Sequence, residues 1–183
     1  MKKIFLLALL FAGKVSLAQT EKGGTLVGGS LSLQTTKENS SFVINPNVGL
    51  FIQKNLAVGA NLNINWSHKG DLKTTELGLG PYVRYYFSQN TVKPFGVAEA
   101  NYLINTVKTG SAKDSNNGVG FLFGVGFAAF VNNTVALEGI GGYNYSDLNG
   151  SSGAGGFTLR FGFQLFFNRE NYKALKTKVV GDR

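Results

Sequence analysis

Five charged side chains lie in segments that alternate between polar and apolar residues, and they are the residues best suited to acid–base chemistry. They are three carboxylates and two arginines: Glu76, Glu99, Glu138, Arg84 and Arg160. A pair of carboxylates can act as general acid and general base. Carboxylates beside arginines can instead form ion pairs that neutralise charges removed from water. The choice between these interpretations depends on the elements that position the five side chains.

His68 is the only histidine and the other residue that could take part in catalysis. Ser67 precedes it directly, but adjacent residues of a strand point to opposite faces, so the two are poorly placed as a dyad. Asp71 could be near. One histidine cannot hold a metal ion unless carboxylates supply the other ligands, and the chain has no cysteine. We therefore expect no catalytic residue, no cofactor and no metal site.

Strict alternation of apolar and polar residues marks the elements of this chain. From Phe157 to Phe167 every second residue is apolar, and those between are small or polar except Phe166. A period of two indicates a strand with one apolar and one polar face. The pattern recurs and predicts eight strands, at Thr25–Thr35, Ser41–Ile52, Leu56–Ser67, Thr74–Phe87, Lys93–Ile104, Gly118–Val131, Thr134–Ser146 and Gly156–Phe167.

No segment between these strands could supply a helix to cover so much apolar surface. The economical solution is an all-β, eight-stranded antiparallel up-and-down transmembrane barrel, with the apolar face toward lipid and the polar face inward. Such a barrel is just wide enough for its side chains to fill the interior. We expect Tyr82 and Tyr86 to help fill it, and inward glycines to make room. The five charges should then form a structural network rather than a catalytic site.

The depth of each charge along its strand predicts which charges meet. Counted from the ends that carry the short turns, Arg84 and Glu138 lie at similar depth, and so do Arg160 and Glu99. Inward side chains at similar depth can meet across a narrow lumen, so we predict these two pairs. Glu76 is left near the outer mouth, where water can reach it.

The connections and aromatic residues predict the orientation of the barrel. Short connections alternate with longer ones, which we expect at Thr36–Ser40, His68–Lys73, Asn105–Asn117 and Asp147–Gly155. Both termini then lie on the short-turn side. The aromatic residues predict two girdles, with Trp66, Tyr102, Tyr143 and Tyr145 at the long-loop ends and Tyr85 and Phe87 at the short-turn ends. Pro46 and Pro81 interrupt strands, and we expect bulges to accommodate them.

The two ends of the chain differ in composition from the strands. Lys2 and Lys3, an apolar core and Ser16-Leu17-Ala18 predict a signal peptide at 1–18, cleaved before Gln19. The barrel would occupy 19–167, and 168–183 would form a basic periplasmic tail that is either solvated or bound to anionic headgroups or cell-wall polymer. The formal charge of +8 lies mostly in this leader and tail. A nucleic-acid partner is therefore not expected.

The chain up to Phe167 resembles the small eight-stranded outer-membrane β-barrels of the OmpX and OmpA transmembrane-domain type. The sharpest match is the stretch from Arg160 to Phe167, which is similar to the C-terminal assembly signal of that family, although sixteen residues follow it here. The resemblance implies that Arg160, Gly162, Leu165 and Phe167 are read by the barrel-assembly machinery. It also implies a monomer in the outer membrane of a Gram-negative bacterium, surrounded by outer-membrane lipid and lipopolysaccharide.

Four functions are compatible with such a chain. We expect a non-enzymatic barrel that contributes to membrane integrity or makes surface contacts through its extracellular loops, and that does not conduct as a general porin. A conduit for small apolar molecules, similar to the OmpW type, would need an apolar interior path. A lipid-modifying barrel enzyme would need partners for His68. A soluble lipocalin-like carrier would place the apolar file of Phe157–Phe167 inside.

Overall fold

The alternating segments form eight strands that close into a single antiparallel barrel. A computed structural model describes residues 17–35, 39–70, 72–109, 112–149 and 153–168. Each strand pairs with its sequence neighbours, and the last strand pairs with the first. The predicted fold class is confirmed. The strands are β1 Thr25–Thr35, β2 Asn39–Gln53, β3 Leu56–Lys69, β4 Leu72–Tyr86, β5 Val92–Thr109, β6 Ala112–Phe130, β7 Val135–Leu148 and β8 Ala154–Phe167.

The apolar file of each strand lies on the outside of the barrel. Phe157 is 90% exposed, and Phe123 and Phe161 are each 64% exposed. This is the reverse of a soluble carrier, in which the same file would be buried. Among the described residues the helical structure is one 3-10 turn, Leu17–Thr20, and no described helix is long and apolar enough to cross a bilayer.

At Thr36–Ser40, His68–Lys73 and Asp147–Gly155 the strands extend no more than two residues into the predicted long loops. The fourth predicted long loop is wrong, because the strands continue into it as a hairpin. The predicted loop Asn105–Asn117 is strand on both sides, with Asn105 opposite Asn116 and Thr109 opposite Ala112. Its residues are polar on both faces, which is typical of a loop in a sequence. A hairpin beyond a bilayer also has water on both faces, so it loses the alternation while keeping its ladder of hydrogen bonds.

Neither proline inside a strand produces the bulge that we expected. The registers of β2 with β3 and of β4 with β5 continue unchanged past Pro46 and Pro81, and only the pairing at those positions is interrupted. Asn45 compensates next to Pro46, since its Nδ2 donates to the Leu62 carbonyl at 3.3 Å. The irregularity of β2 lies instead at its end, between Phe51 and Gln53.

The pairing of β1 with β8 closes the barrel and is the shortest ladder in it. It runs from Thr25 opposite Phe167 to Leu31 opposite Phe161. The ladder of β5 with β6, in contrast, extends along both strands to Thr109 and Ala112. Beyond Leu31 a side chain continues the link, because the Ser32 hydroxyl donates to the Leu159 carbonyl at 3.0 Å. The outer part of this seam is therefore held by few bonds.

Candidate functional site in the barrel lumen

The first predicted ion pair lies fully inside the lumen. Arg84 Nη1 is 2.9 Å from both carboxylate oxygens of Glu138, and the residues are 3% and 7% exposed. The same nitrogen donates to the Tyr86 hydroxyl at 3.2 Å, and the guanidinium lies 4.5 Å from the centre of the Phe95 ring. The Arg84–Glu138 prediction is confirmed. A buried guanidinium held by a carboxylate, a phenol and a ring face has little freedom to act as a proton carrier.

The second predicted pair is also present. Arg160 Nη1 donates to the two carboxylate oxygens of Glu99 at 3.1 and 3.0 Å, and to Asn45 Oδ1 at 3.5 Å. Both partners are buried. The Arg160–Glu99 prediction is confirmed, and the polar wall around it includes Gln164, whose Nε2 donates to Asn47 at 2.6 Å. The strands hold these residues inward because each lies on the polar parity of its alternation.

Glu76 lies apart from the two pairs, as predicted. It is half-buried on the inward face of β4, opposite Asn65 on β3 and Asn105 on β5. These positions are near the outer ends of the three strands. The three predicted carboxylates are therefore not brought together, since two are neutralised by arginines at greater depth. No carboxylate pair suited to acid–base catalysis exists among the described residues.

A layer of aromatic rings fills the lumen below the ion pairs, and the sequence reasoning found only Tyr86 of it. Its members are buried inward residues near the short-turn ends of five strands: Phe51, Tyr86, Phe95, Phe130 and Phe166. Their ring centres lie 4.7 Å apart between Phe130 and Phe166, and 5.3 Å apart between Tyr86 and Phe95. The signal for it was Phe166, the one apolar residue out of step in β8. This layer fills the lumen at the short-turn end of the barrel.

The segment before β1 covers the same end of the barrel. Gln19 and Thr20 are buried, and the Thr20 hydroxyl donates to Asn55 Oδ1 at 2.7 Å. The Asn55 amide donates to the Thr20 carbonyl at 2.8 Å, and the Gly23 amide donates to the Phe51 carbonyl at 2.8 Å. Asn55 has a positive φ of 65°, which an asparagine tolerates in the tight turn between β2 and β3. The chain thus closes the mouth under the aromatic layer.

Inward glycines make room for large side chains, as expected for Tyr82. A side chain at Gly49 or Gly59 would collide with the Tyr82 ring or hydroxyl, and one at Gly28 would collide with Gln164. At Gly162 the backbone of the neighbouring strand occupies the space instead. Glycine is therefore required at these positions by packing.

The residues of the predicted assembly signal lie on both faces of β8. Arg160 and Gly162 face the lumen, whereas Leu165 and Phe167 face outward and pair with Val27 and Thr25 of β1. The signal thus coincides with the seam that closes the barrel, and Arg160 belongs to an ion pair as well. Recognition by the assembly machinery stays a prediction.

The aromatic residues predicted as girdles all lie on the outside of the barrel. At the outer end, Trp66 is 42% exposed and stacks on Phe42 with ring centres 5.9 Å apart. Tyr102, Tyr143 and Tyr145 are exposed at the same end, and Tyr85 and Phe87 are exposed at the other. Their amphipathic rings can therefore occupy the two interfaces of a bilayer.

His68 has no catalytic surroundings in the described part of the chain. It is exposed near the end of β3, opposite Ser40 on β2 and Lys73 on β4. Asp71, the acidic residue that could have been near, lies outside the described residues. No group of three histidine, cysteine or acidic residues suited to a metal occurs among those described.

Comparison with known proteins places this barrel among those of outer membranes. The chain matches a family model described as the outer membrane protein β-barrel domain over residues 4–173. No curated protein sequence matches it significantly.

Solved structures share the fold at low sequence identity. Neisserial surface protein A is 17% identical, with 78% of this chain and 95% of that chain covered and a TM-score of 0.62. The N-terminal β-barrel domain of OprF from Pseudomonas aeruginosa is 9% identical, with 80% and 98% covered and a TM-score of 0.57. Ail, the attachment invasion locus protein of Yersinia pestis, is 11% identical, with 80% and 99% covered and a TM-score of 0.50.

Proposed function

Because the chain belongs to the outer membrane protein β-barrel domain family, we propose that it is a non-enzymatic barrel that supports the outer membrane and makes surface contacts through its outer hairpins. It is a β-barrel of the outer membrane of a Gram-negative bacterium. The observation that carries the proposal is the filled lumen. Two ion pairs cross it, and an aromatic layer lies below them.

A conduit for small molecules is disfavoured by the same filling. An apolar solute would have to pass the Arg84–Glu138 and Arg160–Glu99 pairs, and breaking a buried pair costs several kcal/mol, on the order of 3–5. A hydrated solute would have to pass the rings of the aromatic layer, five residues with almost no exposure. An enzymatic role is disfavoured because His68 has no acidic partner among the described residues.

Surface contact is supported by the outer hairpins. β5 and β6 have 18 and 19 residues, whereas a tilted strand crosses a bilayer with about 9–11. The outer part of this hairpin carries Thr106 and Lys108 on its outward face and Asn105 and Asp114 on its inward face, and therefore stands in water. Two barrels of the same fold carry names that refer to the surface or to attachment, which agrees with this proposal.

Planar-bilayer recording tests whether the filled lumen conducts ions. The refolded protein should give no stable current steps, whereas a general porin inserted under the same conditions serves as the positive control. Stable, large steps would show that the lumen opens, and would replace this proposal with a conduit.

A shortened hairpin separates the two parts of the proposal. Thr106 and Ser115 are cross-strand partners, so residues 107–114 can be replaced by Asn-Gly, a two-residue turn that suits a hairpin. In a deletion strain, both the native chain and this variant should restore resistance to detergent, and only the native chain should restore adhesion to host cells or abiotic surfaces. If the native chain restores neither, the proposal is wrong.

A further inference from the structure

The outer wall of the barrel differs in relief between its two halves. On β2 and β3 the outward residues are mostly aliphatic and similar in size, as at Val48, Leu50, Val58 and Leu62. From β5 to β8, in contrast, the outward residues change between small and bulky from one strand to the next. β6 presents a ridge and β7 presents a furrow, and their residues are Phe121, Phe123, Val125 and Phe127 in the ridge and Gly139 and Gly141 in the furrow.

The register places the furrow directly between two bulky walls. Val125 of the ridge is opposite Gly141, and Gly141 is opposite Leu159 on β8. Two residues along β7, Gly139 is opposite Phe161. Adjacent strands are about 4.8 Å apart, so the two walls stand about 10 Å apart with a glycine floor between them. Val125, Gly141 and Leu159 line an apolar groove of about 830 Å³ on the outside of the barrel.

A second copy of the chain has the shape that fits this furrow. Two copies in one membrane share the same orientation, so they pair about a two-fold axis along the membrane normal. A two-fold contact joins the same patch of both partners, which must therefore be complementary to itself. A ridge directly beside a furrow meets this condition, because the ridge of each copy faces the furrow of the other. In a bilayer, close approach at small residues is what allows such packing.

The exposed area of this face is large enough for a stable contact. Val125 is 68% exposed and Leu159 is 67% exposed, and the rings of the ridge and of β8 project beside them. Since an enclosed aromatic side chain buries about 150–250 Å², the ridge, Leu137 and the outward residues of β8 offer roughly 900 Å² per copy. A standard interface buries about 800 Å² per partner. A lipid chain in the furrow loses conformational freedom, whereas the ridge of a folded barrel is already ordered.

We infer that the chain forms a homodimer in the membrane, in which the ridge on β6 of each copy packs into the furrow on β7 of the other. This differs from the monomer that the family resemblance implies. The ion pairs of the lumen lie on the other face of these strands and take no part in the contact. The dimer needs the membrane location alone and is independent of the adhesion and conductance tests above.

Energy transfer between labelled copies in lipid vesicles tests the dimer. The chain has no cysteine, so Asn116→Cys provides one site for a donor or an acceptor dye at the exposed outer end of β6. Gly141→Leu fills the furrow, and a Cβ at this position would meet only Leu159 Cδ2, at 3.5 Å, which is an ordinary contact. Val125→Ala instead lowers the ridge. Ala60→Leu places a leucine on the outward face of β3, across the barrel from β7, and serves as the matched control.

Energy transfer in the labelled native chain and in Ala60→Leu should persist when the vesicles are diluted with lipid. Gly141→Leu and Val125→Ala should each need about tenfold more protein per lipid to give the same transfer, because extra or missing atoms disturb a packed contact by about that factor. The heat-modifiable mobility of each variant on a gel shows that it is folded.

Two results would overturn the inference. Energy transfer that falls on dilution as it does for randomly distributed copies would leave the furrow to lipid chains. Equal transfer in the native chain, Gly141→Leu and Val125→Ala would place any contact between copies on another part of the wall.

Discussion

At the scale of single residues, the interior charges could be paired from the sequence alone. Arg84, Glu138, Arg160 and Glu99 lie on the polar parity of long alternating strands, and residues at equal depth meet because the lumen is narrow. The aromatic layer could not be found in this way. Phe166 and its partners lie at positions where the alternation predicts a polar, inward residue. An aromatic residue there can fill the lumen or can be an irregularity at the end of a strand, and the pattern alone does not distinguish the two.

The ion pairs give a prediction at this scale. Arg160→Ala or Glu99→Ala alone should lower the free energy of unfolding by about 3–5 kcal/mol, because each variant leaves the charge of its partner unpaired in the lumen. The double variant should lose less than the sum of the two. Urea unfolding of the protein in detergent gives the three values.

A distant exposed residue provides the control for that cycle. Lys22 is exposed at the short-turn end, away from both pairs, so the effects of Arg160→Ala and Lys22→Ala should add to within about 0.5 kcal/mol. If the effects of Arg160→Ala and Glu99→Ala on the free energy of unfolding were also additive, the ion pair between these residues would contribute no coupling energy.

At the scale of elements, the inner ends of the strands were predicted well, and the outer ends of β5 and β6 were not. β3 begins at the predicted Leu56, and β8 ends at the predicted Phe167. β6, in contrast, begins six residues before the predicted Gly118. The bilayer imposes alternation only where one face meets lipid, so the signal disappears at the interface while the hydrogen-bonded hairpin continues.

The two regions of a strand should therefore respond differently to the same added charge. Leu79→Lys, in the exposed apolar file of β4, should cost about 2–4 kcal/mol of folding free energy in lipid vesicles. Asn116→Lys, in the outer part of β6, should change it by less than about 0.5 kcal/mol. Equal costs in reversible vesicle unfolding would mean that the membrane boundary of these strands is misplaced.

At the scale of the whole molecule, the chain covers the short-turn end of its own barrel with the segment that begins at Gln19. The division into a leader at 1–18, a barrel at 19–167 and a tail at 168–183 stays a prediction. Gln19 and Thr20 are buried against the end of the barrel, so the residues expected to follow cleavage are part of the folded unit. Sequence reasoning located the cleavage site from small residues, but it had no means to show where the new terminus would pack.

Cleavage before Gln19 is directly measurable. Edman degradation or terminal-peptide mass spectrometry of protein extracted from outer membranes should return Gln19 as the first residue. Replacing Ala18 by a bulky residue, as in Ala18→Trp, should leave the precursor uncut. A native protein that begins at Met1 would refute the predicted leader.

The short ladder between β1 and β8 makes the outer part of this seam the place where the barrel wall opens most readily. Past Leu31 and Phe161 the two strands share few backbone bonds, so opening there breaks little, whereas opening between β5 and β6 must break a ladder along their whole length. The amides of β8 near Leu159 should exchange with deuterated water before those at equal height on β5. Thermal fluctuation would then separate β1 from β8 at the outer part of their seam. Phe157 lies on β8 beside this opening and is the most exposed aromatic residue among those described.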